Sequence, residues 1–190
     1  MKTCRAVVIF VSLLMATSVN AAPLVQRLEL QGIVFDVHAS QTTPTNELTI
    51  QPHGLSADNR AIRREVDELV SGMEVADLNA DGAPEVFVFL TSPGSGSYGN
   101  LIGYASNNRK SLSEIYLPSL LDSQQTSQGY MGHDEFAIVE NRLGRRFPVY
   151  RPGDSNSRPT GGVRVVYYKL VPGESGWRLD LAEIMNFPNN

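Results

Sequence analysis

The 190-residue sequence predicts an all-β fold, a single antiparallel β-sandwich-like domain with room for one short helix, and three observations carry that expectation. Nine short apolar runs, "LQGIVFDVHA", "ELTIQP", "EVFVFL", "NLIGYAS", "EIYLPSL", "EFAIVEN", "RFPVYR", "VRVVYYKLV" and "WRLDLAEI", are rich in Val, Ile, Phe and Tyr and bounded by Gly, Pro, Asn and Ser. Such runs are strand signals. Two stretches read directly as hairpins: "EFAIVENRLGRRFPVY", turning over residues 141–145, and "VRVVYYKLVPGESGWRLDL", turning over residues 172–176. No repeat at a fixed period and no low-complexity tract competes with this reading.

The chain opens with Lys2 and Arg5, the apolar run "AVVIFVSLLMA" and a polar "TSVNAA". This is the pattern of a secretory signal peptide over residues 1–21, with Val19 and Ala21 as the cleavage pattern and Ala22 or Pro23 as the mature N-terminus. The 11-residue apolar run is well short of the roughly 20 needed to span a bilayer, so no membrane association is expected once it is removed. Cys4, the single cysteine, lies in that segment, which leaves the mature chain without a disulfide, a thiol nucleophile or a sulfur ligand. The mature domain, residues 22–190, holds 14 basic and 20 acidic side chains, a net charge of 14 − 20 = −6. An exported, acidic protein is a poor nucleic-acid binder and suits a basic partner.

Along the domain, residues 61–71 are the ambiguous stretch. Ile62, Val66, Leu69 and Val70 fall at helical spacing behind Asn59, and Gly72 limits any helix there to about ten residues, so helix and strand both stay open. The loop "RPGDSNSRPTGG" reads as a surface excursion within the same domain.

"EVFVFL" is followed by "TSPGSGSYGN", which spells G-x-G-x-x-G at Gly94, Gly96 and Gly99. A dinucleotide fold needs a helix directly after such a loop, to meet the pyrophosphate with its N-terminus. The next residues, "NLIGYASNN", are instead strand-like and end in a turn, so a phosphate cradle is rejected. Before the same strand stands "DLNADGAPE", with Asp77, Asn79, Asp81 and Glu85 at alternating positions around Gly82, the oxygen pattern that a calcium ion takes. The twelfth position is Val88 rather than a glutamate, and a tight Asx turn uses the same residues without a metal. His133 in "GHDE" adjoins two carboxylates, but neighbours on an extended chain point to opposite faces and do not converge on a substrate. No nucleophile elbow accompanies it, and no enzyme is expected.

The glycine loop has a second reading. Glycines let a narrow loop protrude, Pro93 stiffens its base, and Ser95 and Tyr98 carry hydroxyls to its tip, with tyrosine supplying a rigid contact surface and a polar end. The ordered blocks "VADLNADGAPEVFVFLTSPGSGSYGNLIGYASNNRKSLSEIYLP", "GYMGHDEFAIVEN", "RRFPVYR" and "GGVRVVYYKLVPGESGW" resemble the bacterial periplasmic inhibitors of invertebrate-type (i-type) lysozyme. The resemblance implies a β-sandwich inhibitor, often a homodimer, whose loop of Gly94, Ser95, Gly96, Ser97, Tyr98, Gly99 and Asn100 enters the lysozyme cleft. It carries Ser95 and Tyr98 over as the inserting side chains, and it suggests Asn107, Asn108 and Arg109 as a supporting second loop. No cofactor is expected beyond the calcium left open at residues 77–85. The alternative is a calcium-stabilised periplasmic β-sheet binding module.

Overall fold

The computed structural model describes residues 22–189, so the signal segment lies outside the described residues. Four strands, β1 (Leu24–Leu30), β2 (Ile33–Ala39), β3 (Asn46–His53) and β4 (Ile62–Val66), form an antiparallel sheet in that order. A two-residue turn with positive φ at Gln31 and Gly32 joins β1 to β2, the turn geometry whose twist matches that of a hairpin. The second sheet has eight strands in the order β5 (Leu69–Ala76), β6 (Glu85–Thr91), β7 (Gly99–Asn107), β8 (Ser111–Tyr116), β12 (Trp177–Phe187), β11 (Val163–Pro172), β10 (Arg142–Pro148) and β9 (Glu135–Val139). All its pairings are antiparallel except β8 with β12, which run parallel through Ile115–Trp177 and Tyr116–Arg178. The chain is all-β, a sandwich approaching a barrel.

The large sheet curls until its edges approach, and the Ile138 N–H on β9 donates to the Glu74 carboxylate on β5. Inside the curl lies one core, with Phe87 and Phe89 of β6 against Leu143, Phe147, Val166 and Leu179. A second core lies between the sheets, where Val86, Val88 and Leu90 meet Phe35, Val37, Leu48 and Ile50. β6 therefore buries both faces, which is why it reads as an unbroken apolar run. At roughly 1.5–3 kcal/mol for each large apolar side chain, its five interior positions supply on the order of 10 kcal/mol before chain entropy is counted.

One open choice is resolved and one local expectation needs correction. Residues 61–71 hold no helix: Ile62 and Val66 lie on β4, while Leu69 and Val70 open β5. A spacing of four returns to the same face of a strand as well as of a helix, so the pattern did not discriminate. A register shift between Val70 and Gly72 then lets Val70 and Met73 both face the core, and Asn59 bonds the backbone of Leu55 rather than capping a helix. The short helix that does exist, α1 (Gln124–Ser127), follows a 3-10 turn over Leu120–Asp122 in the connection from β8 to β9. The β9–β10 hairpin turns at Glu140 and Asn141, with positive φ at Glu140, and not over 141–145, because residues 142–146 pair with β9. The β11–β12 turn follows Pro172 as expected.

Candidate functional site

The β6–β7 hairpin pairs as far as Thr91–Gly99, which leaves residues 92–98 as the loop and places β7, antiparallel, where a phosphate site would need a helix. Within the loop, the Ser92 N–H donates to the Tyr98 carbonyl at 2.8 Å, and the Tyr98 N–H donates to Ser92 Oγ at 2.9 Å. Two of its glycines serve close approach. A Cβ on Gly96 would sit 2.5 Å from the Tyr98 ring, and one on Gly99 would meet the Asp134 side chain at 2.5 Å. Real side chains do not tolerate such distances, so Tyr98 folds over a glycine and Asp134 packs directly on the loop's exit.

The loop is braced rather than free. The Gly99 N–H donates to Asp134 Oδ2 at 2.7 Å, and Arg145 Nη2 donates to the Gly99 carbonyl at 3.2 Å. Asp134 and Arg145 pair through Nε and Oδ1 at 2.7 Å, with side-chain exposures of 0% and 7%. Tyr130 closes the cluster, its hydroxyl donating to Asp134 Oδ2 at 2.5 Å and accepting from Arg145 at 2.9 Å. Burial pushes the Tyr130 phenol upward and the Asp134 hydrogen bond adds to it. For Arg145, burial pulls downward, but the Asp134 carboxylate outweighs it and the guanidinium stays above its ordinary value. Farther out, the His133 N–H donates to the Gly96 carbonyl at 2.7 Å, and Asn156 Nδ2 donates to the Ser95 carbonyl at 2.6 Å. Three distant segments thus hold the loop, with Ser95 exposed at its middle; Tyr98 lies at the base opposite Ser92 and not at the tip, half-exposed, with its ring over Gly96 and edge-on to Tyr130 at 5.8 Å.

Sequence reasoning missed this brace. Arg145 did carry a signal, because it alternates with Leu143 and Phe147 on a core-facing strand, and a buried arginine needs a carboxylate. Its partner and Asn156, however, come from loops whose approach only the tertiary fold determines. His133 does not gather the acids beside it: its ring bonds Asn156 Oδ1 at 3.1 Å, Asp134 is paired with Arg145, and Glu135 is paired with Arg146 on the surface.

Asn107, Asn108 and Arg109, suggested as a second loop supporting the enzyme contact, do not lie beside the glycine loop. They form the β7–β8 turn, at the opposite end of β7 from Gly99; eight strand residues at about 3.4 Å each separate the two by roughly 27 Å. Asn107 and Arg109 make contacts within the fold. Asn107 accepts from Trp177 Nε1 at 3.0 Å, and Arg109 donates to the carbonyls of Gly82 and Gln31 at 3.1 and 2.7 Å.

The residues 77–85 turn lies at that same far end. Asp77, Asp81 and Glu85 bring carboxylate oxygens within 4.8 Å of one another and are, among the described residues, the acidic group that could hold a cation. Asp77 accepts from the N–H groups of Asp81 and Gly82, Asp81 accepts from the Ala83 N–H and from Asn79, and Asn79 Oδ1 accepts from the Asp81 N–H. This is a complete Asx turn. Glu85 is 1% exposed, and its carboxyl is pushed up to about 8, by burial first and further by Asp77 and Asp81, against the Leu78 N–H that it accepts at 2.8 Å.

Beside the glycine loop, a groove of about 480 Å³ runs between Tyr98 and the segment after β8, lined by Tyr116, Pro118 and Leu121 over Tyr130 and Arg145. No family model, curated protein or solved structure matches the chain.

Proposed function

We propose that the protein is a periplasmic inhibitor of i-type lysozyme that inserts the glycine-rich loop into the enzyme's active-site cleft. The observation that carries this reading is the braced loop, which presents an exposed Ser95 and a half-exposed Tyr98 on a fixed frame. A loop already ordered before binding avoids the entropy of ordering on association. Lysozymes cleave with two carboxyl groups flanking the scissile bond. Two neutral hydroxyls offered there satisfy the polar lining of the cleft, occupy the sugar site and present no bond to cut. The net charge of −6 on residues 22–190 speeds encounter with a basic enzyme.

The test is lysis by purified i-type, c-type and g-type lysozymes with the mature protein added. Selective inhibition of the i-type enzyme at nanomolar range, weakening as salt rises, is the expected result. Equal effects on all three would point to nonspecific charge pairing. A second reading, a calcium-stabilised binding module, draws on the clustering of Asp77, Asp81 and Glu85. A drop in melting temperature on adding a chelator would favour it.

A further inference from the structure

We propose that the groove beside the loop is a second contact surface for the same enzyme, receiving apolar side chains from the lip of the lysozyme cleft while Tyr98 fills its interior; this rests on the inhibitor reading above. A stable protein complex buries about 800 Å² on each partner, more than a seven-residue hairpin loop presents, so an enzyme gripping this loop must also meet neighbouring surface. The groove is continuous with the loop because Tyr98 is its wall. Nine large hydrophobic side chains are exposed among the described residues, and three of them, Tyr98 at 50%, Tyr116 at 61% and Leu121 at 70%, line this one feature. The fold places them there. The parallel β8–β12 pairing ends at Tyr116, and the chain then turns outward through Pro118 to the 3-10 turn that carries Leu121.

Charge narrows the occupant. Arg145 is the one charged residue lining the groove, and its guanidinium is committed to Asp134, Tyr130 and the Gly99 carbonyl. A surface rich in tyrosine and leucine and free of available charge has the composition of an interface centre, which suits an apolar lip and offers nothing to an acidic or basic peptide.

The experiment measures the inhibition constant against i-type lysozyme for Tyr116→Ala, Leu121→Asp and, as a control on another exposed apolar residue, Val25→Asp. The first two should weaken inhibition about tenfold or more, with melting temperatures within a few degrees of the parent, and the control should leave it unchanged. Undiminished inhibition by both groove variants, with Tyr98→Ala inactive, would overturn the groove and leave the loop reading standing. Full inhibition by Tyr98→Ala, or no inhibition by the parent protein, would remove both. Titration with chitotetraose supplies the remaining arm: saturable binding that Tyr116→Ala abolishes would assign the groove to a glycan instead.

Discussion

At one end of β6 the residues 77–85 turn satisfies its backbone with its own Asp and Asn side chains, whereas at the other end the residues 92–98 loop takes its main anchors from Asp134, Arg145, His133 and Asn156. The first turn is mainly local: apart from Arg109 on the Gly82 carbonyl and Gln31 on the Asp77 carboxylate, its donors and acceptors lie within a few residues. The second exists only when the fold is complete. A surface that must hold one shape for a partner gains from that dependence, since the buried Asp134–Arg145 pair fixes the residue next to Tyr98 more firmly than a flexible hairpin could.

The strongest challenge to this contrast is Asp134→Ala. Removing one partner of a buried pair leaves an uncompensated charge, so the variant should lose about 3–5 kcal/mol in denaturant unfolding. Its melting temperature should fall by roughly 10 °C. A loss below 1 kcal/mol would mean that the loop is not held from below.

Tyr98→Ala comes next and separates presentation from stability. As a central anchor it should weaken inhibition by about 2–4 kcal/mol, or roughly 30- to 1,000-fold, with a melting temperature within a few degrees of the parent. A collapsed melting temperature would instead make Tyr98 part of the frame.

At the mainly local end, Glu85 sharpens the comparison through pH. Its folded-state pKa, raised to about 8 from 4.5, means that the folded protein keeps a proton that the unfolded chain has released between those values. Stability is therefore fullest below about pH 4.5 and declines as the pH rises toward 8. At about 1.4 kcal/mol per unit, Glu85→Gln should be more stable than the parent at pH 8 by about 4 kcal/mol in chelator, with little difference at pH 4. Denaturant titrations at the two pH values measure this directly. A destabilised Gln variant at pH 8 with calcium present, against a stabilised one in chelator, would turn the Asx turn into a metal site.

The smallest expected effect is that of Arg109→Ala. Its two backbone hydrogen bonds tie the β7–β8 turn to Gly82 and Gln31, far from the loop, so stability should fall by about 1 kcal/mol while inhibition stays unchanged. Weakened inhibition would place that end of the molecule on the enzyme after all.

The same contrast explains what could be read from the sequence. The apolar runs of β2, β3 and β6 and the turn after Pro172 are legible because each is written in a few consecutive residues. The residues 77–85 turn was legible for the same reason. Residues 61–71 were not, since a spacing of four serves helix and strand alike and the register shift before Gly72 is imposed by β6. The loop could be picked out by its glycines, but their purpose was misjudged: Gly96 and Gly99 admit a ring and a carboxylate at close quarters rather than loosening the chain. The brace stayed hidden because Gly99 meets Asp134 and Arg145 only after β9 and β10 have curled back toward β7.

The short parallel pairing of β8 with β12 also sets an order of events. Hairpins such as β6–β7 and β11–β12 form between chain neighbours, but Ile115 and Trp177 must find each other across the whole β9–β11 segment, and contacts of that separation are slow to close. Trp177, the single tryptophan, stands on this seam, with its indole N–H on Asn107, and Tyr116 occupies the adjoining rung. Stopped-flow refolding monitored by Trp177 fluorescence should therefore show a phase slower than hairpin formation, the expected signature of this seam closing.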